Sequence, residues 1–167
     1  LNFQCPERII ARLANMLKKL NIKDFSTATI RMLEIKSLYE LLTYPLPKMT
    51  EVLGETDGPK LYKRLETLKQ TVYPDYRLMG SIGFSGLGAE SWRTILEQFP
   101  LEKVIYGSDK DLEYIGNIRG MGPKTVDVIK IERPLLMDDV KVVFHNLHHK
   151  DSYQADGVSP RVPIRFS

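Results

Sequence analysis

The sequence predicts an all-α fold, built of short helices paired across tight turns and followed by an irregular C-terminal tail. Apolar residues recur at helical spacing from Ile9 to about residue 147. Glycine, an apolar residue and a second glycine stand between two such helical stretches at Gly86-Leu87-Gly88, and again at Gly120-Met121-Gly122. Alternation of period two is confined to Val140–Phe144 and Arg161–Phe166, too little for a sheet.

The elements follow in order. In "PERIIARLANMLKKL" the residues Ile9, Ile10, Leu13, Met16, Leu17 and Leu20 share one helical face, and Pro6 falls in the first turn, where a missing N–H is harmless. Ser26 or Thr27 is placed to cap a short helix ending at Leu33, and Ser37 to cap "LYELL". Prolines 45 and 47 open "PLPKMTEVL", "GETDGPK" reads as a turn cluster, and Leu61, Leu65 and Leu68 continue a helix beyond it. The same grammar of helix, hairpin and helix returns in "YRLMGSIGFSGLGAESWRTILEQF" and in "DLEYIGNIRGMGPKTVDVIKIE". From about Lys150 the chain reads as loop or linker.

Composition narrows the function classes only slightly. With 24 Lys+Arg against 21 Asp+Glu and a pI near 8.9, a surface for nucleic acid has to come from the placement of charge. A single cysteine, Cys5, excludes an internal disulfide framework, and no apolar run approaches the roughly 18 residues that a membrane span needs. The absence of an initiator methionine and of a signal-peptide core reads as a fragment.

The paired glycines carry the chemistry. Glycine reaches positive φ and lets a ligand approach the backbone, while Leu87 or Met121 between the glycines can turn inward. Beyond Gly88 and Gly122 the first N–H groups of a helix lack internal partners and point outward at the positive end of the helix dipole. Such a mouth suits a phosphate, with Arg119 and Lys124 near enough to add charge. A Walker-type loop is disfavoured because Pro123 separates Gly122 from Lys124, and a dinucleotide fingerprint because Thr125 replaces its third glycine.

This arrangement resembles the helix-hairpin-helix motif, in four tandem copies of which the first two are degenerate. The second copy, "LGETDGPKLYKRL", keeps Gly58, Pro59 and Lys60 but has Thr56 at the first glycine position. The first, "NIKDFSTATIRML", carries Asp24 and Ser26 at the two glycine positions, and Asp24 would repel a phosphate. Over about residues 5 to 140 the order of segments is similar to the tandem helix-hairpin-helix domain of NAD-dependent DNA ligases, in a divergent, phage-type form.

The resemblance implies a leading helix with the remnant of a zinc module over residues 1–20, the tandem domain over 21–147, and a linker toward a following BRCT domain over 148–167. It implies sequence-independent binding of double-stranded, nicked DNA, in support of nick sealing during replication and repair in the cytoplasm of a bacterium or a phage-infected cell. The residues expected at DNA are Gly58, Lys60, Lys63, Gly86, Gly88, Arg93, Arg119, Gly120, Gly122 and Lys124. NAD and Mg would serve the parent enzyme, whose other domains are the expected protein partners, and Cys5 would be a zinc ligand only in that parent. No Lys-x-Asp-Gly adenylation motif is present, so no catalytic residue is expected in this chain.

Two other functions remain open at this level: a protein-interaction scaffold within a split or multidomain ligase, and the hairpin domain of another DNA-repair protein. His145, His148 and His149 lack the Glu of a zincin-type helix, and Asp138-Asp139 reads as an exposed acidic turn. Trp92 reads as core, or as a base-stacking platform if its ring is exposed.

Overall fold

The computed structural model describes residues 5–146, excepting the side chains of residues 145 and 146. Its elements are ten α-helices and one 3-10 turn, and no strand occurs among the described residues. The tail over 148–167, with the candidate strand at Arg161–Phe166, lies outside them. The helices gather into two compact units, Leu1–Thr71 and Val72–Ser167.

In the first unit, α1 (Pro6–Lys19) starts on its proline and buries Ile10, Leu13, Met16 and Leu17. Leu20, just beyond it, is buried as well. Ser26 caps α2 (Thr27–Met32) by accepting the Thr29 N–H at 3.1 Å, and Ser37 caps α3 (Leu38–Leu42) by accepting the Glu40 N–H at 3.1 Å. Next come α4 (Leu46–Leu53), with Pro45 as its N-cap, and α5 (Asp57–Gln70).

The turn cluster expected over Gly54–Lys60 is shorter than its composition implies, because α5 already begins at Asp57. An acid suits the positive end of the helix dipole, and proline is tolerated in a first turn. Gly58 therefore lies inside α5, where it lets the helix touch α4. A Cβ there would stand 2.4 Å from the Thr50 Cα and 3.0 Å from the Met49 carbonyl oxygen.

The second unit runs through α6 (Asp75–Ile82), α7 (Ala89–Gln98), α8 (Leu101–Tyr106), α9 (Asp109–Leu112), a 3-10 turn over Glu113–Asn117, and α10 (Pro123–Asn146). Gly80 of α6 lets α7 begin against it, for a Cβ at Gly80 would meet the Ala89 nitrogen at 2.6 Å. Trp92 of α7 is fully buried and meets Phe84 edge-on, with ring centroids 5.3 Å apart. From α10 the Arg133 guanidinium donates to the carbonyls of Val104 at 3.0 Å and Gly107 at 2.7 Å, so it satisfies the C-terminal end of α8.

Two expectations change along α10. Val140–Phe144 is helix, and its buried residues Leu136, Val140, Val143 and Phe144 follow helical spacing. The β-branched run only imitated alternation. Asp138 and Asp139 also belong to this helix and form no turn; Asp139 is buried, and neighbours along a helix do not face one another. Pro134 sits in the same helix without a backbone donor, leaving the Lys130 carbonyl short of its usual partner.

Candidate nucleic-acid interface

The two glycine turns of the second unit share one backbone form. The Leu87 N–H donates to the Phe84 carbonyl at 3.1 Å, and the Met121 N–H donates to the Ile118 carbonyl at 2.9 Å. Within these turns Gly86 has φ +73° and Gly120 has φ +88°. Positive φ at the third residue of a β-turn is where glycine is required. Phe84, Leu87 and Ile118 are buried and Met121 is half-buried, so each turn is pinned to the core by the apolar residues beside its positive-φ glycine.

Each turn feeds directly into a helix. The Trp92 N–H donates to the Gly88 carbonyl at 3.1 Å, and the Val126 N–H to the Gly122 carbonyl at 3.3 Å. No heavy atom lies within 4 Å of a Cβ built on Gly86, Gly88, Gly120 or Gly122, so the backbone at all four is open to an approaching group. In the first turn of α7 the leading N–H groups have no intrahelical acceptor. At the start of α10, Pro123 has no N–H and the Thr125 N–H donates to the Gly122 carbonyl at 3.1 Å, which leaves the Lys124 N–H as the open donor of that turn. An oxyanion held there gains from both hydrogen bonding and the helix dipole.

Charge separates the two mouths. Around the Gly120 turn, Arg119 and Lys124 are both exposed. At the corresponding places in the Gly86 turn stand Ser85 and Glu90. The Ser85 N–H donates to Glu132 Oε1 of α10 at 2.8 Å, and Glu132 is only 4% exposed. That turn thus already holds an internal carboxylate. Arg93 is exposed, 3.7 Å from Glu97, with its guanidinium 5.4 Å from the Tyr76 ring centroid. Glu132 was not legible as a site residue, since a lone acid within an apolar helix gives no sign of the distant amide it holds.

The first unit carries the same frame in altered form. Asp24 has φ +73° and stands two residues before Ser26, the cap of α2. Ile30 and Leu33 are buried at the offsets from Asp24 that Trp92 and Ile95 keep from Gly86, and Val126 and Ile129 from Gly120. Aspartate is among the few residues other than glycine that visit this conformation. This first hairpin keeps the positive φ and the buried offsets of the last two but lacks their turn hydrogen bond, since the Phe25 N–H does not donate to the Ile22 carbonyl.

In the second hairpin the structure shifts the expected register. The positive-φ residue is Gly54, at +97°, and the N-cap is Thr56, in place of the Thr56 and Gly58 pairing read from the sequence. Gly58 is buried against α4 and offers no open backbone. Lys60, Lys63, Arg64 and Thr67 follow along one face of α5 and, with Asn21 and Ile22, line a shallow cleft of about 330 Å3. Beside it Asp24 Oδ2 accepts from Arg64 at 2.7 Å and lies 3.6 Å from Lys60 Nζ.

Trp92 is fully buried, which removes it as a stacking platform. Cys5 precedes α1 and is half-buried. Among the described residues no group of three or more His, Cys, Asp or Glu side chains is placed to hold a metal ion, so Cys5 has no partners there for the four ligands that zinc requires. His148, His149 and the side chain of His145 lie outside the described residues. No described helix is long and apolar enough to cross a membrane. No protein-family model, curated protein or solved structure matches the chain.

Proposed function

We propose that the chain binds double-stranded DNA without regard to sequence, as a tandem helix-hairpin-helix module of an NAD-dependent DNA ligase. The observation that carries the DNA-binding reading is the pair of open turns, Phe84–Gly88 and Ile118–Gly122, with one hydrogen-bond pattern and a helix start behind each. Phosphate oxygens are the ligand such mouths favour, and contacts to phosphates position a protein on a duplex without reading bases. Arg119 and Lys124 make the Gly120 turn the stronger of the two, while Arg93 serves beside the Gly86 turn. The ligase parentage rests on the order of segments in the sequence alone.

The test uses substitutions that the fold tolerates. Gly88 has φ −89° and open space around it, and Gly122 is equally open, so glutamate at either position places a carboxylate at the helix mouth without steric conflict. If Arg93, Arg119 and Lys124 neutralise three phosphates, log affinity falls against log salt with a slope of about −2.7. Gly122→Glu is expected to weaken binding to a fluorescent nicked duplex more than Gly88→Glu does, and the double variant to abolish it. A salt slope near zero refutes DNA binding, and a double variant that binds normally refutes the two turns as its site. Equal affinity for nicked and intact duplexes counts against the ligase assignment.

A second reading draws on the first unit. There Lys60 and Arg64 are engaged by Asp24, and Gly58 is closed by α4, as suits a unit that holds other ligase domains and leaves DNA to the second. Copurification of an adenylation-domain polypeptide with the Gly88→Glu, Gly122→Glu variant would support it.

A further inference from the structure

The α5 cleft of the first unit has the marks of an anion site whose anion is part of the chain. Lys60, Lys63 and Arg64 stand at successive positions on one face of α5. Asp24 reaches two of these cations with a single oxygen, Arg64 at 2.7 Å and Lys60 at 3.6 Å. Arg64 Nε is buried and has no hydrogen-bond partner, so the guanidinium retains a donor that the carboxylate does not use. Asp24 also occupies the positive-φ position of its hairpin, as Gly86 and Gly120 do in theirs.

We infer that this cleft is a further phosphodiester-binding site of the chain, closed by Asp24 acting as an internal substitute for phosphate. The inference rests on the DNA-binding reading and adds Arg64 and Asp24 to it. The Lys60–Asp24 pair is solvent-exposed, the Arg64–Asp24 pair is half-exposed, and exposed pairs hold weakly. A polyanion supplying several oxygens at once therefore competes well against one carboxylate. Removing the Asp24 charge frees two cations while leaving a backbone conformation that glycine and asparagine both accept.

Asp24→Gly and Asp24→Asn are therefore gain-of-function variants. In the full chain, either is expected to bind duplex DNA more tightly at low salt and to steepen the slope of log affinity against log salt by about 1.8, the contribution of two further phosphate contacts. Asp24→Asn with Arg64→Gln should lose that increase, with circular dichroism confirming the fold of each variant. An unchanged slope in both single variants overturns the inference even where Gly122→Glu abolishes wild-type binding.

Inorganic pyrophosphate, followed through the Lys60 and Arg64 side-chain signals, separates the two claims. Pyrophosphate that shifts those signals in Asp24→Asn but more weakly in the wild type upholds the anion site, even if duplex binding fails and the DNA reading falls. Equal shifts in both proteins, or none in either, overturn the site.

Discussion

A Cβ at Gly58 would lie 2.4 Å from the Thr50 Cα, whereas one at Gly88 would meet nothing within 4 Å. These residues illustrate two uses of glycine, letting helices touch and leaving backbone open. Gly58→Ala must push α5 away from α4, and overpacking of that kind costs about 1–3 kcal/mol. Gly88→Ala requires no such movement and relieves a flexible residue at ordinary φ, so its effect is expected to be small. Thermal or urea unfolding of the two variants checks the contrast, and equal destabilisation would contradict this account of Gly58. Local sequence could not make the distinction, because Gly58-Pro59-Lys60 repeats the composition of Gly122-Pro123-Lys124. What separates them is whether another helix lies across the glycine, which is a tertiary fact.

Among the elements, those with a side-chain cap and an apolar stripe were the legible ones. Ser26, Ser37 and the face through Leu13 and Leu17 each specify a boundary or a buried side locally. The Val140–Phe144 run was ambiguous because a short β-branched segment fits either period, and its burial within the second unit decides for helix. The short α9 depends on a reciprocal cap in which Ser108 accepts the Asp111 N–H and Asp111 accepts the Ser108 N–H at 3.0 Å. The Ser108 N–H donated to the carboxylate foremost, and the Ser108 side chain after it, hold the Asp111 carboxyl below its ordinary pKa, with Lys103 and Lys110 adding smaller effects. A depressed carboxylate contributes stability above the unfolded pKa of about 3.9 and loses it as pH falls through the lower folded value. Asp111→Asn is therefore expected to destabilise the chain at neutral pH and to flatten the acid limb of its stability profile below about pH 4. Parallel acid limbs in wild type and variant would remove Asp111 from that role.

At the scale of the whole molecule, the all-helical class was visible in the sequence but the division into two units was not. The helical stretches read along the sequence as one series, yet the helices gather into the units Leu1–Thr71 and Val72–Ser167. Each unit buries its own aliphatic residues, such as Leu13, Leu38 and Leu65 in the first and Leu78, Ile95 and Ile129 in the second. A second sequence signal was masked by the overall charge of +3, which conceals how differently the cations are disposed. Lys60 and Arg64 of the first unit face Asp24, whereas Arg119 and Lys124 of the second flank an open turn. If open turns confer DNA binding, a polypeptide of residues 72–167 should fold by itself and keep most of the duplex affinity and salt slope of the full chain. Residues 1–71 should bind weakly until Asp24 is replaced. Affinity carried mainly by residues 1–71 would move the principal DNA contact to the α5 cleft and leave the glycine turns as devices for joining helices.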